Sequence, residues 1–153
     1  MNYISLTENH LFSKAYGSRQ KAVTRTVAVY VLKDRLEKKL KLANPQKESI
    51  NRVGITASKK IGGAVERNRA KRVIREAYRQ TDRSYGIKRG FIIVIAARER
   101  SAVVKMQDVK RDLQSALTKL DMLETLPESS EEERKGNSVR ESLADNKKDE
   151  NDE

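Results

Sequence analysis

The chain has 153 residues, with 33 Lys+Arg against 22 Asp+Glu, a net charge of +11, one histidine and no cysteine. Disulfides, thiolate zinc sites and a cysteine nucleophile are excluded. The longest apolar run, Phe91 to Ala97, is too short to span a bilayer, and no charged segment followed by an apolar run opens the N-terminus. A soluble, cytoplasmic protein without membrane attachment is expected.

Asn9 to Tyr16 predicts a short helix, because Leu11, Phe12, Ala15 and Tyr16 form one apolar stripe and Gly17 follows. Val23 to Leu32 alternates as a strand, with Val23, Arg25, Val27, Val29 and Val31 on one face. Its other face, Thr24, Thr26, Ala28, Tyr30 and Leu32, is smaller, more polar and carries a ring. Lys33 to Ser49 is charged and holds Pro45, so it predicts a variable connection with a possible helical turn. Arg52 to Ala57 predicts a second strand. The segment Ser58–Arg79 then reads SKKIGGAVERNRAKRVIREAYR; Ser58 to Ile61 leads into a basic helix that ends near Asp82 to Gly86. Phe91 to Ala97, apolar at every position, predicts a central strand buried on both faces. Lys105 to Leu123 predicts a second long helix with Val109, Leu113, Ala116, Leu117 and Leu120 inside. The order is helix, two strands, helix, strand, helix: an α+β fold with helices packed on one sheet.

The charge is unevenly divided. Residues 127–153 hold ten acidic and five basic residues, net −5, whereas residues 1–126 hold 28 basic and 12 acidic residues, net +16. The first 126 residues make one ordinary domain. From Pro127 onward the apolar pattern is lost and the composition predicts a disordered acidic tail. A body this basic repels itself unless a polyanion neutralises it, as a phosphate backbone does with release of counterions.

The basic helix concentrates the charge. At about 100° per residue, Ala70, Val73, Ile74 and Ala77 share one side, while Asn68, Lys71, Arg72, Arg75 and Arg79 lie within about 100° on the other. Arg67 and Arg69 flank this arc on opposite sides, so the two cannot make the same contact. Gly62-Gly63 before the helix suits a backbone anion site, with Lys59 and Lys60 beside it. The GxxxxGK[ST] spacing is missing, which disfavours nucleotide hydrolysis. His10 has no cysteine or clustered carboxylate near it and reads as an exposed helix residue. The acidic residues of the body are scattered, and Ser58 lacks a base and an orienting group. Phe12, Tyr16 and Tyr30 are rings on which bases of a single strand would stack; Phe12 and Tyr16 can equally dock the first helix on the sheet, and Tyr30, on the polar strand face, is the better stacking candidate.

In order along the chain stand Arg52-Val53-Gly54, Ser58-Lys59-Lys60, Ala64-Val65, Arg67-Asn68-Arg69, Lys71-Arg72, Arg75 and the strand end Ile95-Ala96-Ala97-Arg98. This string resembles the signature of the protein subunit of bacterial ribonuclease P, and the resemblance covers roughly residues 9–120. It implies a two-layer α/β sandwich like the second domain of ribosomal protein S5, with a left-handed βαβ crossover, an exception to the usual hand. It further implies an endoribonuclease in which an RNA subunit is the catalyst, uses Mg2+ and removes the 5′ leader of precursor tRNA. The protein subunit then binds the ribonuclease P RNA and the leader of the precursor tRNA. Carried over, Lys59, Lys60, Arg67, Asn68, Arg69, Lys71, Arg72 and Arg75 would face the RNA subunit. Phe12, Tyr16 and Tyr30 would line a leader cleft, and no protein residue would be catalytic. One departure stands out: Asn2 to Asn9 holds Glu8 and no basic residue, where family members often carry Lys and Arg. Two other readings share the basic body: a general RNA-binding or ribosomal-type structural protein, and a protein enzyme with its own active site.

Overall fold

The computed structural model describes residues 3–44, 46 and 50–125. In chain order these form β1 (Tyr3–Ser5), α1 (Asn9–Tyr16), β2 (Lys21–Val23), β3 (Val27–Lys33), α2 (Arg35–Ala43) and β4 (Asn51–Ala57). A 3-10 turn (Lys59–Ile61), α3 (Ala64–Tyr85), β5 (Phe91–Ala97), a second 3-10 turn (Glu99–Ala102) and α4 (Met106–Lys119) follow. The five strands make one mixed sheet in the order β1-β4-β5-β3-β2. β4 and β5 run parallel and are joined by α3, while β3 lies antiparallel to β5. The mixed α+β class expected from the sequence is the one observed.

β5 occupies the centre because it offers an apolar side chain to both faces. Ile93 and Ile95 point with Val29, Val31 and Val53 toward α3 and α4, where they meet Ile74, Ala77, Tyr78, Leu113 and Leu117. Ile92 and Val94 point the other way and pack with Leu6 and Ala15, so α1 docks on the opposite face. Helices therefore lie on both faces of the sheet. Gly54 of β4 makes the approach of α1 feasible. A Cβ there would lie 2.4 Å from Phe12 Cε1, so only a glycine leaves room for the ring.

Four expectations need correction. The chain opens with an additional strand, β1, parallel to β4. The single strand expected over Val23 to Leu32 is a hairpin of β2 and β3. Thr24 donates its hydroxyl to the Val27 carbonyl and accepts from the Val27 amide, which turns the chain where alternation alone reads through. Val23 is consequently exposed, and Thr26 is buried with its hydroxyl on Asp112. The connection after Lys33 contains a nine-residue helix, α2, rather than a turn. Asp34 caps it, with Oδ1 accepting from the Leu36 and Glu37 amides at 3.1 and 3.4 Å. Finally, α4 stops at Lys119, and Asp121, at φ 56°, leads a turn that returns to Met122 and Leu123. The helical spans of α1 and α3 are those the periodicity predicted. Residues 127–153, expected to be a disordered tail, lie outside the described residues.

Two buried polar clusters hold the sheet's lower edge. Asn51, fully buried, donates from Nδ2 to the Lys88 carbonyl at 2.8 Å and to Tyr78 Oη at 3.3 Å, and accepts from the Phe91 amide at 3.0 Å. Arg52 binds Asp34 through two nitrogens at 2.6 and 2.7 Å, and Glu8 approaches the same guanidinium at 3.5 Å. Glu8 is thus tied to the sheet through Arg52.

Candidate nucleic-acid interface

The outer face of α3 carries a dense row of positive charge. Ala70, Ile74, Ala77, Tyr78 and Thr81 are buried against the sheet and α4, which forces the remaining positions outward. Asn68, Arg72, Arg75, Arg79 and Arg83 are exposed and share an arc of about 80°. Arg79 bonds Glu76 at 2.7 Å. That bond and one from Gln80 hold the Glu76 carboxyl below its ordinary value. Among the described residues, no carboxylate lies within ion-pair distance of Arg72, Arg75 or Arg83. Arg72, Arg75 and Arg79 border an open hollow of about 480 Å³ with Tyr3, Val73 and Met106. Such a stripe can accept successive phosphates, each exchange releasing counterions.

The other sequence-selected cations are placed differently. Arg67 is half-buried, and its Nε reaches back to the Gly63 carbonyl at 3.4 Å. Arg69 turns to the opposite flank and donates to the Ala102 carbonyl, bracing the 3-10 turn after β5. Lys71 is half-buried, at the edge of the stripe. Lys59 and Lys60 are exposed on the turn before α3. Gly62 sits at φ 145°, a conformation suited to glycine, but the start of α3 is not an open anion site. The Glu66 side chain folds over Gly62 and Gly63, placing a carboxylate where an anion would sit.

The ring set lies on the other side of the sheet. Residues of one face align across three strands: Arg52–Ile92–Leu32, Gly54–Val94–Tyr30 and Thr56–Ala96–Ala28. α1 covers the first two rows with Leu11 and Phe12. Tyr16, at its end, is 42% exposed and overhangs the third row. Its hydroxyl bonds Thr56 Oγ1 at 3.0 Å, and its ring meets Tyr30 edge-on with centroids 5.0 Å apart. Ala28, Ala96 and Thr56 are small, so they leave a trough beside two rings. Phe12 itself is committed to packing against Gly54; Tyr16 is the ring most available for stacking, ahead of Tyr30. A separate polar hollow of about 510 Å³ near the end of β5 is lined by Arg25, Ser58, Lys60, Arg98, Glu99 and Arg100.

Sequence reasoning missed Arg83, Arg25, Arg98 and Arg100. Arg83 is four residues beyond Arg79 and continues the same stripe, so helical spacing alone would have found it. The other three converge only because the hairpin turn packs against the end of β5, where Arg98 donates to the Thr24 carbonyl at 2.6 Å. His10 is exposed, as expected. Among the described residues, no group of three or more His, Asp or Glu comes together. No described helix is long and apolar enough to cross a membrane.

The family model for ribonuclease P matches residues 2–121. The chain belongs to the ribonuclease P protein family. A ribonuclease P protein component from Clostridioides difficile is 32% identical over 111 residues, which is 72% of this chain and 86% of that protein. One from Dehalococcoides mccartyi is 46% identical over 81 residues, and there the match spans 53% of this chain and 64% of the relative. Among solved structures, the Staphylococcus aureus RNase P protein superposes with a TM-score of 0.58 at 25% identity, covering 74% of this chain and 92% of that one. The Thermotoga maritima RNase P protein gives a TM-score of 0.58 at 23% identity over 75% and 96%, which establishes the shared fold. The family's sheet and helices are thus the scaffold on which the cationic stripe and the ring-lined trough are mounted.

Proposed function

We propose that this chain is the protein subunit of a ribonuclease P holoenzyme and serves 5′ maturation of precursor tRNA. The observation that carries the reading is the division of labour across one sheet, in a chain of this family. A cationic helix faces outward on one side, and a trough with two tyrosine rings opens on the other. α3 binds the RNA subunit through Asn68, Lys71, Arg72, Arg75 and Arg79, with Lys59, Lys60 and Arg67 at its start. Arg69 serves this surface by positioning the neighbouring turn. The trough holds the single-stranded 5′ leader: bases stack on Tyr16 and Tyr30, and Phe12 fixes the helix that carries Tyr16. Hydrolysis belongs to the RNA subunit and its Mg2+, and the protein raises affinity for the leader-bearing substrate. The whole assembly acts in the cytoplasm.

The test compares holoenzymes carrying Tyr16→Ala or Tyr30→Ala with the parent, titrated with leader-bearing precursor and with mature tRNA. Loss of one stacked base is worth ~1–3 kcal/mol, roughly 5- to 150-fold in affinity for the precursor, with little change for mature tRNA. Equal losses for both RNAs would remove the leader from the trough.

A further inference from the structure

Among the described residues, no carboxylate lies within ion-pair distance of Arg72, Arg75 or Arg83 on the α3 stripe, although Glu76 feels the charge of Arg83 from farther away. The chain also contains an acidic segment of opposite charge. Residues 127–153 are net −5, and Glu131, Glu132 and Glu133 are consecutive. The body hands this segment over at one end of the stripe. The Thr125 amide and hydroxyl both donate to the Tyr85 carbonyl, at 3.0 and 2.8 Å, and Tyr85 is the last residue of α3.

Reach is sufficient. From Tyr85, Arg75 lies about 15 Å and Arg72 about 20 Å back along the helix axis, at 1.5 Å per residue. Glu131 to Glu133 are six to eight residues past Thr125, and can stand up to roughly 20–27 Å away, at ~3.3–3.6 Å per residue. The acidic run therefore spans the distance to Arg83, Arg75 and Arg72 without help from the rest of the segment.

We infer that the acidic segment 127–153 docks on the α3 stripe of its own chain, with Glu131–Glu133 against Arg72, Arg75 and Arg83, and competes there with RNA. The competitive role rests on the functional reading above; the docking itself does not. Such docking is weak and salt-sensitive, because the pairs are exposed. Its covalent linkage keeps the local concentration of carboxylates high. Three exposed pairs, each worth a factor of about 1.5 to 2, together oppose RNA binding by roughly three- to eightfold at low salt. A phosphate backbone of higher charge density displaces the segment, so the device discriminates against short or weakly charged competitors.

The experiment uses the full chain. It contains no cysteine, so Ser130→Cys gives a single site for a nitroxide label. Paramagnetic broadening of the amides of Arg72, Arg75, Arg79 and Arg83 is expected at roughly 0.02 M salt, fading above about 0.5 M as the Debye length shrinks. The same broadening is expected to fade when a single-stranded oligouridylate is added. In the unlabelled chain, replacing Glu131, Glu132 and Glu133 together by Gln is expected to tighten oligouridylate binding about three- to eightfold at low salt, with no effect at high salt. Broadening spread evenly over the surface, or absent, would overturn the docking. Broadening that persists while the oligonucleotide binds would overturn the competition. A docked segment on a chain that binds no RNA would sustain the docking and count against the functional reading instead.

Discussion

Replacing Gly54 by Ala tests the link between the packing of α1 and the trough. The new Cβ would stand 2.4 and 2.5 Å from Phe12 Cε1 and Cζ, and 3.3 Å from Leu6 Cβ. Carbon atoms in contact prefer ~3.5–4.0 Å, so the ring must retreat by about 1 Å or more. Phe12 packs against Leu6, Ile92 and Val94, and β4 beneath it is held between β1 and β5, so neither side yields freely. Overpacking of this kind costs ~1–3 kcal/mol, offset by up to ~1 kcal/mol because alanine loses less backbone freedom than glycine on folding. A net destabilisation of about 1–2 kcal/mol is expected, read as a lower urea midpoint at unchanged slope. Phe12→Leu relieves the clash, so the double variant should fall short of the summed single losses by about 1 kcal/mol. Additivity within ~0.5 kcal/mol, or a Gly54→Ala chain as stable as the parent, would refute the reasoning. Because the ring anchors the helix that ends in Tyr16, Gly54→Ala should also weaken discrimination between leader-bearing and mature tRNA.

Other outcomes follow from the buried ion pair, the buried tyrosine and the two flanks of α3. Burial pushes the Asp34 carboxyl up, but the Arg52 hydrogen bond and charge, with the Glu37 and Leu36 amides, outweigh it, so the group titrates below 3.8. Its contribution is present above the unfolded value near 3.8 and is lost as pH falls through the lower folded value. Asp34→Asn should flatten that part of the acid-unfolding profile; an unchanged profile would dismiss the pair. Burial raises the Tyr78 hydroxyl to about 12. Stability contributed by this proton is complete below pH ~10 and declines toward pH ~12. Tyr78→Phe should therefore remove part of the alkaline loss, and identical alkaline limbs in urea melts would contradict the assignment. Arg75→Ala and Lys71→Ala should each lower the salt slope of RNA-subunit binding by about one unit, whereas Arg69→Ala should lower thermal stability and leave the slope unchanged. A slope that falls for Arg69 and not for Arg75 would reverse the assignment of the two flanks.

Much of this was legible in the chain, for identifiable reasons. α1, α3 and β5 carry uncontested periodicity, and their burial follows it. The hairpin was hidden because Val23-Thr24-Arg25-Thr26 alternates like a strand while the Thr24 hydroxyl turns the backbone. α2 exceeds the expected helical turn: Asp34-Arg35-Leu36-Glu37 has the spacing of a capping box, but the dense charge and Pro45 mask the helical pattern that follows it. Angular position separated Arg67 from Arg69, but only the fold shows that Arg69 reaches Ala102. The edge-on meeting of Tyr16 and Tyr30, and the trough beside it, depend on which face of the sheet α1 covers. A single sequence does not state that.

The central claim is tested most directly by cleavage of precursor tRNA at low magnesium. A bacterial ribonuclease P RNA alone, this protein alone and the two together would be compared under the same conditions. Cleavage at the 5′ leader junction restored only in the mixture is the expected result. No restoration by a folded protein that still binds the RNA would contradict the account, and so would cleavage by the protein alone.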